Sequence, residues 1–532
     1  MRKILSLALA ILMALTFASI PVSAEPAENV LTIAILSNPN LDVHWNSSMV
    51  GFLLISQLRE GLYRYTRDGF ELAGATDVAV SDDGMVWTFN LREDAKWSDG
   101  KPVTAADYVY SMQRLVDPEI GTPYMNDYGC FLKNGPAISA GEMAVGELGV
   151  IAVDDFTLEI QLEELCTFFD ALLCYSTYIP LRSEFVVEDG NGEWAWDPEK
   201  SVTNGAMILT ACDPEQEIVL ERNPYYWDAA SVKTDKIVVK LANDLNTQLS
   251  LVRTGDVDMI FDFPSEEAAM LQSEGLYHSN PNLHTYFIMI NNHKEPYSNP
   301  LVRRAMLFAV NRDYLAKVLF NGTRAPATGM IGPGFPGRTA DSDFRAEGGD
   351  LFGYDLDYAK ELLAEAGYPD GDGFPVLVIS YPTDVNHQLA CEFLQGEWEK
   401  LGITVQLESI EPSAMGGLRN DGKFDVTPQN WFVDYFDVSN MFSIFVTDNF
   451  INAGRYNSEK FDGLYYGSMK VLDNAERIDM LHEAENTLIL EETGVIPLFH
   501  RGAFSIYRDD VCSNVFYNGT NQIILTQVIV TK

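Results

Sequence analysis

The sequence predicts an α/β protein of several domains, on the basis of its length, its composition and the pattern of its second half. Without an N-terminal signal segment, 508 of the 532 residues remain, enough for about three domains of roughly 150 residues each. Apolar residues make up 47% and charged residues 21% of the chain, a balance typical of globular proteins. In the second half, strands alternate with helices, which predicts a mostly parallel sheet covered by helices.

Residues 1–24 are typical of a secretory signal peptide. Two basic residues precede the apolar run 4–20, and Val22 and Ala24 resemble an A-x-A cleavage site. No second apolar span of membrane length follows. We therefore expect a cleaved, exported protein, with an uncleaved membrane anchor as the alternative. Because no cysteine precedes Cys130, we expect no lipid anchor and a location free in the periplasm.

The charge of the chain excludes a nucleic-acid-binding protein. Lys and Arg number 36 and Asp and Glu 77, for a net charge of −41. Such a surface repels a polyanion, whose binding requires a basic footprint. The excess of acidic residues is explained by the solubility that a high net charge gives to a protein. Alternatively, the negative electrostatic field of the surface attracts cationic ligands, an effect that weakens as the salt concentration rises.

The six cysteines, at positions 130, 166, 174, 212, 391 and 512, predict buried free thiols. They are too few to form a disulfide scaffold for a chain of this length, and no C-x-x-C pair occurs. Cys166 and Cys174, if they share a helix, would lie about 12 Å apart. That separation is too large for a disulfide.

Residues 75–107 predict an antiparallel pair of strands that leads into a helix. The pair is formed by 78–80 and 86–91, joined by a turn at 81–84, and the second strand alternates strictly. A second turn at 98–100 is followed by a helix from Thr104 to about Val116. Thr104 with Asp107 three residues later resembles a capping box, which favours a helix start.

The second half predicts a βαβαβ unit. Two helices come first, at 299–320 and at 355–366, and the Gly- and Pro-rich residues 328–337 between them predict an irregular loop. The unit itself consists of strands at 375–381, 403–408 and 424–427 with helices at 386–401 and 413–420. Ligands of such sheets bind beyond the carboxyl ends of the strands. The loop after Thr427 is therefore a candidate site.

No motif in the chain requires catalysis, a metal or a cofactor. The G-x-G-x-x-G match at 332–337 contains prolines and opens no helix, and the P-loop spacing at 417–423 lacks the Ser or Thr that holds magnesium. His482 has Asn486 where a zinc helix needs a second histidine, and 370–373 lacks the further ligands of a calcium loop. No nucleophile elbow is present.

Residues 86–107, VWTFNLREDAKWSDGKPVTAAD, strongly resemble the signature of the bacterial extracellular solute-binding proteins of the peptide and nickel family. The similarity continues over nearly the whole mature chain, and its clearest further segments are 148–155, 202–206, 220–227, 255–258, 290–292 and 302–305. Within the family, the sequence is most similar to the oligopeptide-binding proteins of ABC importers.

The resemblance implies the type II periplasmic binding protein fold, with two hinged lobes, mixed sheets and an additional third domain. Lobe I would comprise 25–59, 184–284 and 501–532, domain II would comprise 60–183, and lobe III would comprise 285–500. A bound peptide would close the lobes and lie as an extra strand, while wet pockets accept varied side chains.

The resemblance also implies a binding residue for the amino end of a peptide. Trp431, Asp434 and Tyr435 align with a loop whose aspartate accepts the α-ammonium group, and this is the loop that the strand order indicates. Asp434 is therefore the first candidate. The alternatives are a solvated surface Asp434, and a core role at the lobe interface for Trp431 and Tyr435.

Three further positions match ligand-binding positions of the family. Arg419 and His387 match basic residues that meet peptide carboxyl ends, and Tyr124 matches a tyrosine on the ligand side. Each has a plain structural alternative: a helix-end arginine, a histidine in a first helical turn and a packed aromatic ring. Pro428 stands where relatives have an arginine, so the anchoring of the carboxyl end of very short peptides does not transfer to this chain. Pro412 stands where relatives can have a tryptophan that lines a side-chain pocket, so the pocket preferences of relatives do not transfer either.

These observations predict an exported oligopeptide-binding component of an ABC importer, working without enzymatic activity, cofactor or metal. Its expected partners are short peptides and a membrane permease, and we expect a monomer. A binder of oligosaccharide, nickel chelate, haem or opine is the alternative on the same fold. A secreted peptidase or a chaperone-like protein is the alternative of another class.

Overall fold

The structure is a computed structural model that describes residues 28–531, apart from 68, 189, 214, 215, 281, 282, 340, 448, 450, 519 and 521. The predicted signal peptide lies outside the described residues. Within the described part of the chain, no helix combines the length and the apolar character that a membrane span requires.

The strands of the described residues form three main sheets and two small hairpins. The largest sheet has seven strands in the order Tyr277–Ser279, Phe504–Tyr507, Met259–Ile260, Val30–Ile35, Lys236–Leu241, Glu217–Arg222 and Met207–Asp213. Val30–Ile35 is parallel to both of its neighbours, and the other pairs are antiparallel. The sheet is therefore mixed, as the predicted fold class requires.

The second sheet has six strands and contains the predicted βαβαβ unit. Their order is Ala325–Pro326, Val495–Arg501, His284–Ile290, Val426–Phe432, Leu377–Pro382 and Val405–Ile410. The last three strands are parallel to one another, whereas His284–Ile290 is antiparallel to both of its neighbours. The prediction of a mostly parallel sheet is therefore wrong for the sheet as a whole, because three of its five strand pairs are antiparallel.

The third sheet is antiparallel, with four strands in the order Ala75–Val80, Val86–Leu91, Thr157–Gln161 and Val150–Asp154. The small hairpins are Tyr63–Thr66 with Gly69–Leu72 and Cys512–Ser513 with Ile529–Val530. The predicted strands at 78–80 and 86–91 lie within the first two strands of this sheet, so their prediction is confirmed.

The α-helices of the described residues pack around these sheets. They are Met49–Leu58, Ala105–Val116, Met125–Gly129, Gly135–Ser139, Phe169–Leu172, Leu245–Thr254, Ala268–Glu274, Pro300–Phe308, Arg312–Tyr314, Phe344–Gly348, Leu356–Glu365, Val385–Glu399, Pro412–Asn420, Val438–Ser443, Glu459–Ser468 and Asn474–Asn486. The helix predicted from Thr104 is confirmed. The backbone N–H of Thr104 donates to Asp107 Oδ2 at 2.8 Å, which satisfies an amide at the helix start.

The prediction of one continuous helix over 299–320 is wrong. The helix Pro300–Phe308 stops, a short helix follows at Arg312–Tyr314, and Leu315–Leu319 continues as a π-helix. The buried guanidinium of Arg312 donates to the carbonyl oxygens of Leu307, Val310 and Pro497. The bond to Leu307 satisfies a carbonyl near the end of the helix Pro300–Phe308, and the bond to Pro497 ties the interruption to the strand Val495–Arg501.

The last strand of the βαβαβ unit does not end at Thr427, as the sequence predicts, but continues to Phe432. Pro428 suggests an early end because it has no N–H for a ladder bond. Beyond Val426, however, the strand pairs on one side only, with His284–Met289, and an imide nitrogen is tolerated at such an edge. The irregular loop at 328–337 is confirmed.

None of the six cysteines forms a disulfide, as predicted. Cys166, Cys391 and Cys512 are buried as predicted, whereas Cys174 and Cys212 are half-buried and Cys130 is exposed, so the prediction of burial is wrong for Cys130 and only partly met by Cys174 and Cys212. Its position after the short helix Met125–Gly129 leaves the side chain at the surface.

A buried ion pair joins the region of the seven-stranded sheet to the helix Ala105–Val116. Two nitrogens of Arg114 donate to the two carboxylate oxygens of Asp42, each at 2.9 Å, and Trp194 Nε1 donates to Asp42 at 2.7 Å. Both charged side chains are almost completely buried. Burial raises and the nearby Arg114 lowers the pKa of Asp42, and the net direction is downward.

We expect Arg114→Met to destabilise the protein by about 3–5 kcal/mol, because it removes the guanidinium that neutralises the buried Asp42 carboxylate and leaves it only neutral N–H donors. Urea unfolding measured by circular dichroism tests this. The control is Arg508→Met, which removes a surface pair with Asp510 and should cost about 1 kcal/mol or less. Equal losses in the two variants would contradict the assignment.

Candidate functional site

Asp434 lies two residues beyond the strand Val426–Phe432, where the six-stranded sheet meets the domain of the four-stranded sheet. Tyr128 donates its hydroxyl to Asp434 Oδ2 at 2.9 Å, and Tyr175 Oη lies 3.5 Å from Oδ1. In the part of the chain that the structure describes, no Lys, Arg or His forms an ion pair with this carboxylate. The side-chain groups that contact this carboxylate in the described residues, the Tyr128 and Tyr175 hydroxyls and the Asn440 amide, are therefore all uncharged.

Asn440 fixes the loop that carries Asp434. Its side-chain oxygen accepts a hydrogen bond from the backbone N–H of Asp434 at 3.0 Å and another from Trp431 Nε1 at 3.1 Å. Asn440 lies in the helix Val438–Ser443 and is buried. One amide oxygen therefore sets the positions of both predicted binding residues.

Burial raises the pKa of Asp434 to about 6. The hydrogen bonds from Tyr128 and Asn440 act in the opposite direction because they stabilise the ionised form, whereas the carboxylate of Asp127 raises the pKa further. A cation close to such a carboxylate stabilises its ionised form.

The aromatic side chains of the neighbouring domain form a wall against Asp434. The ring centroids of Tyr128 and Tyr175 lie 4.6 Å apart, and those of Tyr124 and Tyr128 lie 5.3 Å apart. Tyr435 stacks on Phe168 with centroids 5.2 Å apart and nearly parallel planes, and is buried there. Tyr435 thus packs between the two domains, and its predicted contact with ligand stays a prediction.

Two cavities share Asp434 as a lining residue. One of about 270 Å³ extends along the helix Met49–Leu58, and a smaller one of about 50 Å³ lies between Tyr124, Trp431 and Asp434. The structure therefore brings together four of the six predicted residues, Tyr124, Trp431, Asp434 and Tyr435, at one small space.

Arg419 and His387 lie on the helices Pro412–Asn420 and Val385–Glu399 of the same six-stranded sheet, apart from this cluster. Arg419 donates to the backbone oxygen of Pro428 at 2.6 Å, and burial lowers its pKa. His387 pairs with Asp384 and its ring lies 5.3 Å from that of Tyr286. Their predicted contacts with a peptide carboxyl group stay predictions.

Sequence reasoning did not identify Tyr128, Tyr175, Asn440 or Asp127. Tyr124 and Tyr128 are four residues apart, a spacing that places them on one side of a helical turn, but Tyr175 and Asn440 join them only through the tertiary fold.

Pro412 is the first residue of the helix Pro412–Asn420, a position where a proline is well tolerated. Among the described residues, no group of His, Cys, Asp and Glu could hold a metal ion.

Comparison with known proteins identifies relatives over most of the chain. The family profile described as "Bacterial extracellular solute-binding proteins, family 5 Middle" matches residues 70–453. The periplasmic oligopeptide-binding protein OppA of Salmonella typhimurium is 32% identical over 471 residues, which cover 87% of this chain and 85% of that protein.

Solved structures share the whole fold. The structure of Listeria monocytogenes OppA bound to peptide has a TM-score of 0.81 and 28% identity, and the match covers 95% of this chain and 100% of that one. Haemophilus influenzae OppA in complex with RPPGFSPFR has a TM-score of 0.80 and 26% identity, with coverages of 95% and 100%. The predicted type II binding protein fold with an additional domain is therefore confirmed.

We expect Tyr128→Phe to raise the pKa of Asp434 above its present value, because the variant removes a hydrogen bond that stabilises the ionised carboxylate. NMR titration of the aspartate carboxyl carbons measures this pKa. Tyr175→Phe is the matched control, with a smaller expected rise because its hydroxyl lies farther from the carboxylate. An unchanged or lower pKa in Tyr128→Phe would contradict this geometry.

Proposed function

The chain belongs to the family 5 bacterial extracellular solute-binding proteins, and we propose that it captures short peptides outside the cytoplasmic membrane and delivers them to an ABC permease. The observation that carries this proposal is the desolvated carboxylate of Asp434, which has hydroxyl partners but no cationic partner among the described residues. An α-ammonium group supplies the missing charge and can donate to the carboxylate and to the aromatic rings around it.

The free edge of the strand Val426–Phe432 is evidence that the ligand is an extended peptide. Residues 427–432 pair with His284–Met289 on one edge, and in the described part of the chain the other edge has a single ladder pair, Ile379 with Val426. The free edge offers backbone N–H and C=O groups to an added strand. A peptide there is held through its backbone, which accommodates many side-chain sequences.

Charged side chains near the two ends of this free edge indicate in which direction a bound peptide runs. Asp434 follows one end, and the guanidinium of Arg419 contacts Pro428 near the other. Six residues of extended chain separate these positions, about 20 Å at roughly 3.3 Å per residue. We infer that the ammonium group binds at Asp434 and that the carboxylate of a peptide of about four to six residues points towards Arg419, with His387 nearby.

We propose that the domains divide as the sequence predicts, with lobe I at 25–59, 184–284 and 501–532, domain II at 60–183 and lobe III at 285–500. Tyr128 and Tyr175 would then belong to domain II and Asp434 to lobe III. A ligand bound between them stabilises the closed arrangement only if it binds that arrangement more tightly. The exported monomer would therefore close on its peptide and release it unaltered, without a cofactor or a catalytic step.

We expect N-acetylation of a tetrapeptide to weaken its binding about 30-fold or more, because acetylation removes the charge that faces Asp434 and such pairs contribute roughly 2–5 kcal/mol. Isothermal titration calorimetry with the free and the acetylated peptide measures the loss. Asp434→Asn should reduce the affinity of the free peptide similarly. Asp82→Asn, at an exposed position of the four-stranded domain, is the control.

An affinity that neither acetylation nor Asp434→Asn changes would contradict the proposed site. Mass spectrometry of the titrated peptide tests whether the protein acts without chemistry, since a binding protein returns the peptide intact. Turnover by purified protein would instead establish a peptidase.

We also expect peptide affinity to fall as the pH drops below about 6. The pKa of Asp434 is raised to about 6 in the free protein, and a bound ammonium group stabilises the ionised form and lowers that pKa. Binding below this pH must therefore release a proton, and the affinity falls by up to about tenfold per pH unit. Calorimetry between pH 5 and 7 tests this, and a flat profile would contradict it.

A further inference from the structure

A second carboxylate, Asp127, lines the same small cavity as Asp434. This cavity has a volume of about 50 Å³ and lies between the helix Met125–Gly129 of the four-stranded domain and the loop after Val426–Phe432. Like Asp434, Asp127 forms no ion pair with any Lys, Arg or His in the described part of the chain.

The two carboxylates interact unfavourably. The charge of Asp127 raises the pKa of Asp434, and burial raises the pKa of Asp127 itself to about 6. A single α-ammonium group at Asp434 neutralises one of the two negative charges. Because the cavity is partly desolvated, the remaining carboxylate favours a second positive charge close to the first.

The walls of the cavity suit the stem of an alkyl side chain. Tyr128, Phe131, Trp431 and Tyr465 contribute aromatic surface, and Asn440 contributes a polar group. Aromatic rings pack against methylene groups and also attract a cation that lies over their faces. At about 10–15 Å³ for each water-sized group, the volume corresponds to about four such groups, as many as the heavy atoms of lysine beyond Cβ.

We propose that this cavity binds the basic side chain of the first residue of the peptide, with Asp434 contacting the α-ammonium group and Asp127 contacting the side-chain cation. The inference rests on the proposed function and narrows it to peptides that begin with lysine or a similar diamino acid. Asp127 is then a specificity-determining residue, whereas Asp434 serves every peptide with a free amino end. The net charge of −41 attracts such dicationic ends over a longer range.

The experiment compares two tetrapeptides that differ in one group. The first is Lys-Ala-Ala-Ala, and in the second the lysine is replaced by 2-aminoheptanoate, in which a methyl group stands in place of Nζ. Calorimetry at pH 7.5 should show at least tenfold tighter binding of the lysine peptide to the unaltered protein. Asp127→Asn should remove this preference without weakening the 2-aminoheptanoate peptide.

Two further variants distinguish the effect of the negative charge at position 127 from a general structural effect of substitution. Asp127→Glu keeps the negative charge and should retain a preference for lysine, whereas Asp82→Asn removes a charge elsewhere on the same domain and should retain the full preference. Thermal unfolding of each variant shows whether it is folded. A preference that persists in Asp127→Asn, or equal binding of the two peptides by the unaltered protein, would overturn the inference.

The result also distinguishes this inference from the proposed function. If both peptides bind equally and acetylation still weakens them, peptide capture at Asp434 stands and the lysine preference is wrong. If neither peptide binds, the proposed function fails and the inference fails with it.

Discussion

The carboxylate of Asp434, which has no cationic partner among the described residues, is the constraint on which the rest of the site depends. Its desolvation is unfavourable unless a cation is present, and hydrogen bonds from Tyr128 and to Asn440 hold it at the meeting point of two domains. Its partners come from the four-stranded domain, through Tyr128, and from the region of the six-stranded sheet, through Asn440. Under the proposed function, a ligand that neutralises Asp434 contacts both regions, so that recognition and closure follow from one interaction.

Contacts outside the site connect the sheets and helices of the surrounding scaffold. The Asp42–Arg114 pair fixes the helix Ala105–Val116 against the seven-stranded sheet. The chain passes between the seven- and six-stranded sheets twice, and the two passages touch where Asn280 N–H donates to the oxygen of Ala503 at 3.1 Å. A Cβ atom on Gly502 would lie 1.9 Å from the oxygen of Asn280, so only glycine fits there.

The sequence could predict elements whose signals are local. Strict alternation identifies the strand Val86–Leu91, and the Thr104 capping box identifies the helix that follows. The full length of Val426–Phe432 could not be predicted, because Pro428 is tolerated only through the tertiary placement of that strand at an edge. Asp434 could be predicted by resemblance, whereas Tyr175 and Asn440 approach it through the packing of distant segments.

A crystal structure of the protein with a bound tetrapeptide would show where the amino end of the ligand lies. We expect the amino nitrogen of the peptide about 3 Å from a carboxylate oxygen of Asp434, with the backbone of the peptide along the free edge of Val426–Phe432. A peptide whose amino group lies elsewhere, while Asp434 contacts only tyrosine hydroxyls or solvent, would contradict this expectation.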